Sequence, residues 1–91
     1  MPDIWKSMAR QIPVKDPKTV EDWRVDQLSV PNLLKTLGLP TRVQKRSDQL
    51  FMIYEFDKQY TFIVYLDKID GNRCTAAALW DAKGELATLI K

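Results

Sequence analysis

Apolar residues recur at two different spacings along this chain. From Leu50 onward they gather in short, nearly continuous runs broken by polar turns, and before it they fall three or four apart. Leu50 to Phe56 and Tyr60 to Leu66 both read as strands whose successive residues alternate between two faces. Asp57-Lys58-Gln59 between them suits a three-residue hairpin loop. That loop predicts Phe56 opposite Tyr60, Tyr54 opposite Phe62 and Met52 opposite Val64. Asp67 to Asn72, which contains Asp70-Gly71-Asn72, reads as the next turn, and Arg73 to Trp80 as a third strand. The Ala76-Ala77-Ala78 run suits a helix by propensity alone, but the flanking strands and the tight turn after it favour a strand. Asp81-Ala82-Lys83-Gly84 fits a type I turn with Gly84 in the left-handed region, and Leu86 to Ile90 closes a four-stranded antiparallel β-meander.

The first half reads as helical. Ser29 is placed to cap a helix, Pro31 lies in its first turn where a missing N–H is harmless, and Leu33, Leu34 and Leu37 form its apolar stripe. Gly38 and Pro40 stop it. A shorter helix is expected from Thr19 to Leu28, with Thr19 as cap and Val20 and Trp23 on one face. Residues 2–12 form a third candidate, capped by Asp3, with Ile4, Trp5, Met8 and Ile12 on one face. So short a helix is marginal alone, so it is expected to dock its tryptophan on the domain. Pro13 and Pro17 mark an extended linker. The organisation is then an arm and linker over 1–18 and a single α+β domain over 19–91, with two short helices on one face of the sheet. Thr41 to Asp48 reads as a polar, basic connector.

Alternation assigns Met52, Tyr54, Phe56, Phe62 and Val64 to one sheet face, together with Cys74, Ala76, Ala78, Trp80, Leu86 and Ile90. The other face receives Phe51, Ile53, Glu55, Ile63, Tyr65, Ala77, Leu79 and Leu89. Both faces are apolar enough to need cover, and two short helices cover only one. The more polar face is therefore the expected interaction surface. Its candidate partner-binding residues are Phe51, Ile53, Ile63, Tyr65 and Leu79, with Arg42 and Arg46 at the rim. The expected partner is another protein or a second copy of the chain, a homodimer.

Composition removes much chemistry. The chain of 91 residues has no histidine and one cysteine, Cys74. The usual neutral-pH base, the usual triads, thiolate metal sites and disulfide frameworks are all missing. Its three glycines are isolated, so no phosphate-binding loop exists. Asp67, Asp70 and Asn72 lack the order and terminal glutamate of a calcium loop. Glu55 and Asp57 could work as an acid–base pair only inside a cleft, and a strand end is a solvated rim. No catalytic residue, cofactor or metal is expected, and the chain reads as a non-enzyme. Net charge is +2, with the excess in the stretch up to and including Asp48, nine Lys/Arg against six Asp/Glu. Arg42, Lys45 and Arg46 beside a sheet bearing aromatics could serve single-stranded nucleic acid, but no ribonucleoprotein-type motif accompanies them. No apolar run is long enough to span a bilayer. The start, Met1-Pro2-Asp3-Ile4-Trp5-Lys6, lacks a signal-peptide core. The expected compartment is the cytoplasm, and the periplasm only if a leader had been removed.

Ser29, Leu33, Leu37-Gly38-Leu39-Pro40, the aromatic pair Tyr54 and Phe56, and the closing Trp80-Asp81-Ala82-Lys83-Gly84-Glu85-Leu86 form a combination that resembles the SmpA/OmlA-like domain. This is the fold of small outer-membrane assembly lipoproteins, whose architecture β-lactamase inhibitor proteins share. The resemblance spans residues 28–91. It implies a non-enzymatic protein that works by protein–protein contacts. Three functions remain open on the sequence: an adaptor or assembly factor, an inhibitor or immunity-type protein that caps another protein's surface, and a single-stranded nucleic-acid binder.

Overall fold

The structure is a computed structural model that describes residues 3–47, 49–67 and 74–91. It is an α+β domain with two α-helices, α1 (Asp3–Met8) and α2 (Val30–Leu37). They accompany a five-stranded antiparallel sheet of β1 (Arg42–Arg46), β2 (Gln49–Glu55), β3 (Thr61–Leu66), β4 (Cys74–Trp80) and β5 (Leu86–Ile90), in spatial order β1 to β5. Each strand pairs with its neighbour in the chain, so β3 is central and β1 and β5 are the edges.

The β2–β3 hairpin has the register expected from alternation. Tyr54 opposes Phe62, Met52 opposes Val64, and the Phe56 N–H donates to the Tyr60 carbonyl at 2.8 Å. The loop closes because Lys58 and Gln59 both take positive φ. The final turn forms as its residues suggest. Gly84 has φ 78°, and the Asp81 carboxylate accepts from the N–H groups of Lys83 and Glu85.

Helix α2 is held at both ends by its own sequence. Ser29 Oγ accepts from the Asn32 N–H at 3.2 Å, and Pro31 occupies the first turn. Gly38 ends the helix at φ 94°, with its N–H on the Leu34 carbonyl at 3.0 Å. Val30, Leu33, Leu34 and Leu37 are buried against the sheet in one core with Met52, Tyr54, Phe62, Val64 and Leu79. Ser29→Ala should lower folding stability by about 1 kcal/mol, the usual worth of an N-cap. Urea unfolding followed by circular dichroism checks it, and the slope should stay unchanged while the midpoint falls.

Three expectations need correction. The sheet has a fifth strand, because Arg42–Arg46 pairs with β2 over its whole length. An edge strand whose inner face carries Val43 and then Lys45 has too little hydrophobic alternation to announce itself. Residues 19–28 do not form a helix. The stretch is two turns of 3-10 helix, Pro17–Val20 and Val25–Gln27, and the first is capped by Asp16, not Thr19. Val20 is buried there and Trp23 packs against the core, so the helical spacing came from burial, not from a continuous helix. The faces of β4 are also inverted beyond Cys74. Register shifts fall between Tyr65 and Leu66 on β3 and between Leu79 and Trp80 on β4. Each inserts a residue into the ladder and exchanges the two faces beyond it. Ala77 and Leu79 therefore point into the core. Ala76, Ala78 and Trp80 pair with Tyr65, Ile63 and Thr61 on the outer face, where Leu86 joins them opposite Trp80.

The N-terminal segment docks on the domain. Trp5 lies in the core, while Ile4, Met8 and Ile12 stay exposed. The chain then runs past the end of α2, where the N–H groups of Arg10 and Val14 donate to the carbonyls of Leu34 and Leu37 at 3.1 and 3.0 Å. The Asp57 N–H bonds the Lys15 carbonyl at 2.8 Å and ties the segment to the hairpin. These bonds give the arm partners that an isolated strand of loop would lack.

Candidate functional site

Both helices and the core lie on one side of the sheet. The opposite side holds a groove of about 320 Å³ that crosses β1, β2 and β3. It is lined by Gln44, Arg46, Phe51, Ile53, Ile63 and Tyr65. Strand pairing explains the grouping. Gln44 sits opposite Phe51 on β1 and β2, Phe51 opposite Tyr65 and Ile53 opposite Ile63 on β2 and β3. Directly opposed residues of an antiparallel pair share a face, so these side chains meet. The rings of Phe51 and Tyr65 pack edge to face, with centroids 5.2 Å apart and planes at 76°. They form one end of the groove. Ile53 and Ile63 form its floor, and Ile53 is shielded to 3% exposure by its neighbours.

The rim is cationic. Arg42 shares this face and donates from a guanidinium nitrogen to Glu55 Oε1 at 3.0 Å. Both side chains are more than half exposed, so the pair contributes little to stability and mainly neutralises Arg42. Among the described residues Arg46 has no carboxylate partner, which leaves its charge beside the aromatic pair. The edge of the apolar floor is thus set by the Arg46 guanidinium, without a carboxylate among the described residues, and the Gln44 amide.

The expected contact residues separate cleanly. Phe51, Ile53, Ile63, Tyr65 and Arg46 are brought together in the groove, and Arg42 stands at its end. Leu79 does not belong to this surface. It is fully buried among the core residues, because the shift in the ladder turns it inward. Gln44 joins the groove because Arg42–Arg46 is a strand, which nothing local in the sequence marks. Trp80 and Leu86 join the same face because the shifts turn them outward. The outer face continues past the groove through Ala76 and Ala78 to Trp80, Leu86 and Leu89, the two leucines 47% and 48% exposed. The Trp80 indole N–H is buried with no acceptor among the described residues.

The remaining chemistry is sparse. Glu55 is exposed on the rim with Arg42, and Asp57 is exposed on the hairpin loop, so no cleft encloses the two carboxylates. Among the described residues no three His, Cys, Asp or Glu side chains cluster as metal ligands. Asp70 and Asn72 lie outside the described residues. No described helix is long and apolar enough to cross a membrane. Cys74 is buried and free on the core side, and burial pushes its thiol up to about 11. At pH 8 the native thiol should therefore react with a maleimide at least about a hundredfold more slowly than the same cysteine in urea, because thiolate is the nucleophile. Reaction at similar rates in the two states would contradict that burial. The protonated thiol is the form the fold favours. Its contribution is therefore complete below about pH 9 and lost as the pH rises through about 11. Compared with known proteins, the chain matches no protein-family model, and no curated protein or solved structure matches it.

Proposed function

We propose that this protein is a non-enzymatic recognition module, an adaptor or assembly factor, that binds a partner protein on the outer face of its sheet. One observation carries the reading: the groove between β1 and β3, with an aromatic pair, an aliphatic floor and the Arg46 guanidinium at its edge. The partner segment presents an aromatic or branched apolar side chain to the floor and an aspartate or glutamate to Arg46. Among the described residues the face is half-buried by its own side chains and covered by no other element, and aromatic residues with arginine are the composition of protein-binding hot spots. The resemblance to SmpA/OmlA-like domains points the same way, toward function by protein contact.

Selection of a random peptide display library on the immobilised protein tests this directly. Enriched peptides should pair an apolar residue with a neighbouring carboxylate. Their affinity should fall at least about tenfold in Tyr65→Ala and in Arg46→Glu, the size expected when one hot-spot contact is removed. Both variants should retain the far-ultraviolet circular dichroism of the parent. Peptides that bind the variants as well as the parent would overturn the assignment. Binding of a labelled oligothymidylate that weakens steeply as salt rises would mark the same groove as a nucleic-acid site instead.

A further inference from the structure

The two edges of the sheet are built in opposite ways. Strand β1 carries Arg42, Lys45 and Arg46 among its five residues, all exposed. Charged side chains on an edge strand repel another strand and keep an edge from pairing. Strand β5 carries no such charge, and its one irregularity is the extra residue Ala87 between the Leu79–Thr88 and Trp80–Leu86 pairs. Its residues are Leu86-Ala87-Thr88-Leu89-Ile90, with no charge and no proline. Among the described residues no backbone group pairs with its outer side, where β4 occupies only the inner one. Leu86, Ala87 and Leu89 are exposed. An open edge of this kind is a template for another strand.

The charges that flank β5 select the orientation and the occupant. Glu85 precedes it and Lys91 follows it, both exposed and neither with an ion-pair partner among the described residues. A parallel arrangement of two such strands sets Glu85 against Glu85 and Lys91 against Lys91. An antiparallel arrangement sets the Glu85 carboxylate of each strand beside the Lys91 ammonium of the other. The apolar stretch between them then meets an identical apolar stretch.

We propose that two copies of this chain pair antiparallel along β5 and join their sheets into one continuous sheet. The two-fold axis runs perpendicular to the sheet, the geometry of an isologous contact. Such an axis carries the outer face of one copy onto the outer face of the other. Leu86 and Leu89 of both copies therefore gather into one apolar patch astride the axis. The two grooves lie on the same side, at opposite ends of the joined sheet, because each is built on β1 to β3. The pairing does not depend on what occupies the groove.

Sedimentation velocity from about 1 to about 100 µM reads the association, whose extent follows concentration. The parent should become dimeric within that range. Leu89→Lys, which sets a charge on the axis of the patch, should stay monomeric at the highest concentration. Leu86→Lys is the second variant if the first fails to fold, as judged by circular dichroism. Amide hydrogen exchange in the segment 86–90 should slow as the parent is concentrated, and should not slow in the lysine variant. A parent that remains monomeric at 100 µM overturns the proposal. So does a dimer that survives both lysine substitutions, or one abolished by Tyr65→Ala, which would place the contact on the groove. Peptides selected on the groove should bind the Leu89→Lys monomer as they bind the parent, which separates this result from the function of the groove.

Discussion

Phe62→Ala should remove about 3–5 kcal/mol of folding stability, the range for truncating a fully buried phenylalanine. A chain of 91 residues has roughly 5–14 kcal/mol in total, so the variant should lie near its unfolding threshold at room temperature. The size follows from position. Phe62 is fully buried on the central strand, opposite Tyr54 on one side and Leu79 on the other. Its ring stacks on Phe56 at 5.8 Å and 13°. It also meets Trp23 at 6.3 Å, edge on, and Tyr54 at 6.3 Å. Rigid rings held by a strand, a hairpin and the Trp23 turn cannot close over the space left behind, and an uncollapsed cavity carries the larger cost. Urea unfolding followed by tryptophan fluorescence and circular dichroism measures the loss. Tyr65→Ala on the same strand is the comparison. Its half-exposed ring lies on the outer face, and its truncation should cost only about 1 kcal/mol of stability while weakening peptide binding. A loss below 1 kcal/mol for Phe62→Ala would mean that the helix side of the sheet is not the core. Equal losses for the two variants would mean that both faces are.

How far the fold could be read from the chain depends on the strength of local alternation. Residues 50–66 are two apolar, aromatic and β-branched runs of matching length around a short polar loop, so strands, loop and register are all legible, and with them the shared face of Phe51, Ile53, Ile63 and Tyr65. The helix from Val30 to Leu37 is legible for a similar reason, since Ser29, Pro31 and Gly38 each have one good place in a helix. The misreadings fall where that redundancy is missing. Ala76-Ala77-Ala78 gives no contrast between faces, so the shift at Tyr65 and Leu66 leaves no trace in composition and carries Leu79 to the wrong side. Val43 alone cannot mark Arg42–Arg46 as a strand, and the pairing that makes it one is supplied by β2. Gln44 was lost to the groove by the same route. Between Thr19 and Leu28 the spacing of Val20 and Trp23 imitates a helix. Asp16 and Pro17 instead start a single tight turn, and burial of both side chains is met without further helical bonds. The candidate groove was therefore legible in its apolar half, which lies on one hairpin, and hidden in its polar half, which a non-local pairing brings up.

Gly38→Ala should cost about 2–3 kcal/mol, more than a glycine at a helix end normally does. The backbone at Gly38 has φ 94° and ψ −164°. That region is open essentially to glycine alone, and a side chain forced into it stores about 1–3 kcal/mol of strain. Space is short as well. A β-carbon there would stand 3.2 Å from the Pro13 Cα and 3.5 Å from the Arg10 carbonyl oxygen. Those atoms cannot move freely, because the N–H groups of Arg10 and Val14 are bonded to carbonyls of α2 on either side. Nor can Gly38 rotate without loss, since its carbonyl accepts the buried Tyr54 hydroxyl at 3.0 Å. The alanine variant must therefore hold the strained backbone or lift the N-terminal segment and uncover Trp5. Urea unfolding gives the stability loss, and trypsin cleavage after Arg10 reports the lifting. Gly84 provides the comparison. It has φ 78° in open space, with nothing near its absent β-carbon, so Gly84→Ala should cost only the left-handed backbone, about 1 kcal/mol, and leave cleavage at Arg10 unchanged. If the two substitutions cost the same, the close passage of the arm over Gly38 contributes nothing. A larger loss at Gly38 with faster cleavage would make that contact the latch that holds the arm on the domain.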